Sequence, residues 1–122
     1  MISNKHKIFW SGDGGYGDHF KEIGDKFGPF DFGFMECGQY NENWHQIHMY
    51  PEEAVQAAID SKVSRALPVH CCGFALALHH WKDPIERFAA EARNKGLPLS
   101  TPNLGSLSTL KSSGEDWWEG LE

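Results

Sequence analysis

Apolar positions recur in short blocks from Ile8 to Leu110, separated by brief polar or glycine-rich interruptions, and no block repeats at a fixed period. Residues 1–122 therefore read as a single domain. Lys7-Ile8-Phe9-Trp10-Ser11 is rich in strand formers and runs into Gly12-Asp13-Gly14-Gly15-Tyr16-Gly17, a stretch too glycine-rich to continue a strand. Beyond it, Tyr16, Phe20, Ile23 and Phe27 fall at spacings of four, three and four and form one helical stripe, which Gly28-Pro29 stops.

Phe30 to Glu36 reads as a second strand, mostly apolar, and residues 37–49 read as a long loop. Pro51 then opens a helix at its first position. Glu52 and Glu53 suit the positive end of its dipole, Ala54, Val55, Ala58 and Ile59 supply a buried face, and the helix ends near Ser61. Arg65 to His70 resembles a third strand, and Pro68 removes one ladder donor, so the strand is expected to be short or near an edge there. Asp83-Pro84-Ile85-Glu86 predicts an N-cap aspartate, a proline at the first helical position and a capping box, with Phe88, Ala89 and Ala92 continuing the face and Gly96 closing the helix. A last strand region is expected around Leu97 to Leu110. The tail Asp116-Trp117-Trp118-Glu119 either docks by its indoles or stays free. This alternation predicts an α/β layer with helices packed on a sheet.

Composition narrows the function classes. Eleven Lys+Arg against seventeen Asp+Glu give a formal charge of −6, with no basic cluster, which argues against a nucleic-acid partner. No apolar run approaches the roughly 18 residues needed to span a bilayer, and the first residues do not lead into a signal-type segment, so a cytoplasmic location is expected. Cys37, Cys71 and Cys72 are an odd set with two neighbours, unlike a secreted disulfide framework, and reduced thiols are expected. Seven histidines raise metal and proton chemistry above background.

Asp13 lies between glycines just after a strand, where side chains project from a sheet's C-terminal edge; the plainer reading is a turn with local hydrogen bonding. The stretch lacks the Gly-Lys-Ser/Thr ending of a phosphate loop. His70 also follows a strand, so a carboxylate and an imidazole can meet at one sheet edge as donors for zinc or a similar divalent transition metal, or His70 is simply hydrogen-bonded within the fold. Two ligands fall short of the three of a catalytic zinc site. His45 and His48 precede Pro51, and His79-His80-Trp81 supplies a second pair; either group can line a pocket or serve packing. Cys71-Cys72 beside His70 can suggest thiolate coordination, but adjacent cysteines point apart on a strand, and a small buried role is the simpler reading.

Phe9-Trp10-Ser11-Gly12-Asp13-Gly14-Gly15-Tyr16-Gly17, Gly38-Gln39-Tyr40-Asn41, His48-Met49-Tyr50-Pro51-Glu52-Glu53-Ala54-Val55 and Pro68-Val69-His70 occur in an order that resembles the C-terminal half of a metallo-β-lactamase-fold hydrolase. Within that superfamily the chain is most similar to the branch of the ascorbate-6-phosphate lactonase-like proteins and the N-acyl-phosphatidylethanolamine-hydrolysing phospholipase D. The resemblance covers Ile8 to about Leu110. It implies an αββα sandwich of which this chain is one half. It also implies that Asp13 corresponds to the metal-bridging aspartate and His70 to the last metal-binding histidine. His48 resembles a histidine near the substrate pocket, and His79 lines the same region, so these two are the catalytic candidates.

No His-x-His-x-Asp-His is present, and that motif supplies most of the family's ligands. Gly14 stands where the family has Ser or Thr, and Cys71-Cys72 where it has Trp and a small residue. The expectation is therefore a chain that is not catalytically competent by itself, or one half of a hydrolase of ester, lactone or phosphodiester bonds in small molecules. The sheet face toward the missing half should be apolar, so a homodimer or a complementary N-terminal half is expected to cover it.

Overall fold

A computed structural model describes residues 1–122. The elements are β1 (Ile8–Trp10), α1 (His19–Phe27), β2 (Phe32–Glu36), α2 (Pro51–Asp60), β3 (Ala66–Val69) and α3 (Asp83–Lys95), with a 3-10 turn at Glu42–Trp44. The three strands form one parallel sheet in the order β1-β2-β3. Ile8 aligns with Phe32, Trp10 with Phe34, Gly33 with Ala66, and Glu36 with Val69. Sequential parallel strands joined by crossovers of one hand place their helices on one side of the sheet. Accordingly Phe9, Met35 and Ala66 on one face share a core with Phe20 of α1, Ala54, Val55 and Ala58 of α2, and Phe88 and Ala92 of α3. The mixed α/β architecture expected from the sequence, a small parallel sheet flanked by helices as in half of a β-lactamase-fold sandwich, is what the chain adopts.

The opposite face carries Ile8, Trp10, Phe32, Phe34 and Leu67, by the two-residue alternation of a strand. Phe32 is buried, but Trp10 is 64% exposed and stacks on Phe34 at 4.8 Å between ring centroids. A cavity of about 650 Å³ opens on this side, lined by Phe32, Phe34 and Leu67 together with Ser108 to Lys111.

Two expectations change, and one open alternative is resolved. The final strand between Leu97 and Leu110 does not form; the segment is held by single bridges, Ala66 to Leu99 and Thr101 to Gly114. Ala66 donates outward to the Pro98 carbonyl and accepts from Ser100 N, but Pro68, two residues on and facing the same side, has no N–H, so the outer ladder stops there. The Asp83 cap is also absent. Asp83 is the first helical residue and Lys82 the cap; the Asp83 carboxylate accepts from the Tyr40 hydroxyl and faces Arg87 instead. Finally, the tail docks: Trp118 is 3% exposed against Ile85 and Ala89 of α3, and Asp116 pairs with Arg93 at 2.5 Å. Gly96, at φ +72°, closes α3 in the left-handed conformation as expected.

Candidate functional site

Four side chains meet at the C-terminal ends of the three parallel strands, the edge where open α/β sheets bind ligands. Asp13 sits in the glycine loop after β1, Glu36 is the last residue of β2, His48 precedes α2, and His70 follows β3. His48 Nδ1 lies 3.1 Å from Glu36 Oε1. His70 Nδ1 lies 3.5 Å from Asp13 Oδ1 and 3.6 Å from Glu36 Oε1. Glu36 Oε2 accepts a hydrogen bond from Met49 N at 3.2 Å. Asp13, His48 and His70 open into a cleft of about 390 Å³ whose other walls are Gln39, Trp44, Ile47 and Leu76.

The local chain path explains the convergence. Tyr16 donates to Asp60 at 2.5 Å, which ties the Asp13 loop to α2, and this hydrogen bond to a carboxylate pushes the phenol up to about 12. Gly15 lies so close to the Gln46 carbonyl that a Cβ there would collide with it, so this glycine lets the Asp13 and His48 loops touch. Gly38 does the same for His70: a Cβ would overlap the His70 carbonyl. His70 itself adopts φ +60°, a left-handed conformation rare for a side-chain-bearing residue. Arg87 of α3 grips Glu52 of α2 through two hydrogen bonds of 2.8 and 2.7 Å and lies over the Tyr40 ring at 4.9 Å. Burial and then the Asp83 hydrogen bond hold the Tyr40 phenol well above its ordinary range. This cluster fixes the strand-to-loop turn that carries Gly38 and Gln39.

The remaining candidates fall elsewhere. His79 stacks on Tyr40, 4.2 Å between centroids, and lines a separate groove with Asn41, Tyr50 and Leu78. His45 pairs with Glu53 at 2.8 Å. Cys71 and Cys72 do not line the cleft; Cys71 packs against the core, and its thiol is pushed up first by its hydrogen bond with Cys37, while the Cys72 thiol is pushed up by Cys71. Neither lies in the ligand group at the strand ends, so the geometry gives them no part in holding an ion there. Glu36 is not among the residues that the sequence singles out, because it stands as the end of a hydrophobic strand. The signal that marks it is parity: Phe32, Phe34 and Glu36 share a face, so an acid is fixed at a strand end among apolar residues.

The donor set fits a divalent transition metal. Ligand atoms of Glu36, His48 and His70 all lie within 4.8 Å of one another, but the Glu36 oxygens are taken by Met49 N and His48 Nδ1, which leaves Asp13 and His70 as the open pair of donors. The His70–Asp13 separation of 3.5 Å matches the spacing, about 3.3–3.6 Å, of two donors bound tetrahedrally at zinc's bond lengths.

The family model of the beta-lactamase superfamily domain matches residues 1–71, the part that contains all four of these side chains, and the chain belongs to that superfamily. It is 52% identical over 70 residues to outer membrane protein RomA of Klebsiella pneumoniae, covering 57% of this chain and 53% of RomA. An uncharacterized protein of Mycobacterium tuberculosis is 39% identical over 105 residues, 84% of this chain and 28% of that protein. N-acyl-phosphatidylethanolamine-hydrolyzing phospholipase D 1 of Caenorhabditis elegans is 32% identical over 73 residues, 57% of this chain and 20% of that protein. The chain thus spans about half the length of these relatives, or less. No helix is long and apolar enough to cross a membrane.

Proposed function

We propose that these residues form the C-terminal half of a metal-dependent hydrolase centre, in which Asp13 and His70 hold a divalent transition metal such as zinc and the remaining donors come from a His-x-His-x-Asp-His segment outside residues 1–122 or on a partner chain. The observation that supports this reading is the meeting of Asp13, His48 and His70 in one cleft at the strand ends. A divalent ion there supplies Lewis-acid polarisation of a carbonyl or phosphoryl oxygen and lowers the pKa of water. His48, on the cleft wall beside His70, serves as the proton-handling group toward an ester, lactone or phosphodiester. Trp44, Ile47 and Leu76 offer the substrate an apolar wall. His79 belongs to the outer substrate path rather than to the ion.

The exposed Trp10–Phe34 face fits the same reading, because the segment that brings the missing donors would also cover it. Where no such segment is present, a second copy covers it and the chain is a dimer.

The test is complementation. The chain with zinc alone is expected to leave nitrophenyl esters, lactones and bis-nitrophenyl phosphate intact. Adding the N-terminal portion of a full-length relative should produce turnover that Asp13→Ala abolishes and His48→Gln lowers by about 100-fold. An associated pair that stays inactive, or turnover indifferent to Asp13→Ala, would overturn the proposal.

A further inference from the structure

We infer that Glu36 is a positioning residue for His48: it binds the imidazole from beneath, holds the neutral ring as the Nδ1–H tautomer, and so leaves Nε2 as the free basic nitrogen on the cleft side. The inference rests on the reading of His48 as the proton-handling group for its significance, but its geometry stands apart from any reaction. Glu36 is 1% exposed and is absent from the cleft wall that Asp13, His48 and His70 share. Both of its oxygens are committed, Oε2 to Met49 N at 3.2 Å and Oε1 to His48 Nδ1 at 3.1 Å.

A buried carboxylate needs donors. Glu36 has no lysine or arginine partner; the ionisable groups within ion-pair distance of it are His48 and, at 3.6 Å, His70. An ionised carboxylate only accepts hydrogen bonds, so a neutral imidazole facing Oε1 must carry its proton on Nδ1. The adjoining backbone reinforces the arrangement. Met49 directly follows His48, and its N–H binds the other oxygen of the same carboxylate, so one side chain fixes both the ring and the peptide that carries it. This is the orienting logic by which a buried acid sets which imidazole nitrogen faces a reacting group.

Glutamine at this position makes the chemistry visible. A carboxamide has one accepting oxygen and one donating nitrogen, whereas Met49 N–H and His48 Nδ1–H are both donors. The backbone N–H cannot change, so the amide oxygen turns to Met49 and the amide NH₂ faces His48. Nδ1 then has to accept, which forces the proton to Nε2.

The experiment is long-range ¹H–¹⁵N NMR of the histidine side chains in the full metal-free chain, at a pH where the rings are neutral. Wild type is expected to show His48 with Nδ1–H in excess of Nε2–H by about tenfold, as a charge-assisted hydrogen bond supports. Glu36→Gln should invert that ratio while His79 and His45 keep their signals. A wild-type His48 that is mainly Nε2–H overturns the inference without any variant, even if Glu36→Gln fails to fold. So does a folded Glu36→Gln with an unchanged ratio. Because neither metal nor substrate is present, failure of complementation and failure of this assignment are separate results.

Discussion

His70, a proposed metal ligand, sits in a backbone conformation that its side chain disfavours. Its φ of +60° belongs to the region that only glycine, and to a lesser extent asparagine, enters at low cost, and such residues typically carry about 1–3 kcal/mol of strain. The neighbouring chain over-determines it, since Gly38 presses against its carbonyl and β3 ends at Val69. His70→Gly should therefore be more stable than His70→Ala by about 1 kcal/mol in urea unfolding, because glycine relieves the strain that alanine retains. Equal midpoints for the two variants would show that the turn is not strained. Asp13 and His70 are legible in the sequence as strand-end residues, because a carboxylate between glycines and a histidine closing an apolar run both fall where a parallel sheet ends in loops. Glu36 is not, since a single acid at the end of a strand reads equally well as the point where the chain returns to solvent.

At the scale of elements, α3 depends on the tail more than its own sequence suggests. Ile85, Ala89 and Trp118 form a second, smaller core, sealed by the Arg93–Asp116 pair. Trp118→Ala should lower stability by about 3 kcal/mol or more, as removal of a buried large aromatic does, and should loosen residues 112–122 in hydrogen exchange. Trp117→Ala, at a half-exposed position, should cost much less. The first three strands, α2 and the C-terminal end of α3 follow from pattern, because glycine, proline and apolar spacing act locally. The last strand does not form, because Pro68 withholds a donor from its neighbour rather than from its own strand, and that depends on which edge of β3 is free. The Asp83 cap fails for a similar reason. Tyr40, forty-three residues away, and Arg87 occupy its carboxylate, and no local rule anticipates a distant competitor.

For the whole molecule, the decisive surface is the Trp10 face and the way it meets water. A stacked Trp10–Phe34 pair beside Ile8 is the kind of exposed apolar patch that marks an interaction surface. Light scattering at micromolar concentration should report a dimer for the chain alone, and Trp10→Asp should shift it to monomer while leaving the far-ultraviolet circular dichroism unchanged. A monomeric wild type would rule out self-association and leave the complementary segment as the cover.

The rims of the sheet bear on this as well. Along β1, Ile8 and Met1 exchange hydrogen bonds and Ile2 bridges Lys7, so the N-terminal residues occupy that rim; along β3, Pro98 and Ser100 take the first positions and the Pro68 ring blocks the next. Neither rim offers a continuous row of free amides to a neighbouring chain, and lateral growth into fibrils or swapped sheets is discouraged from both ends. The cover proposed for the Trp10 face would therefore meet it broadside, side chain against side chain, with shape rather than backbone pairing setting its specificity.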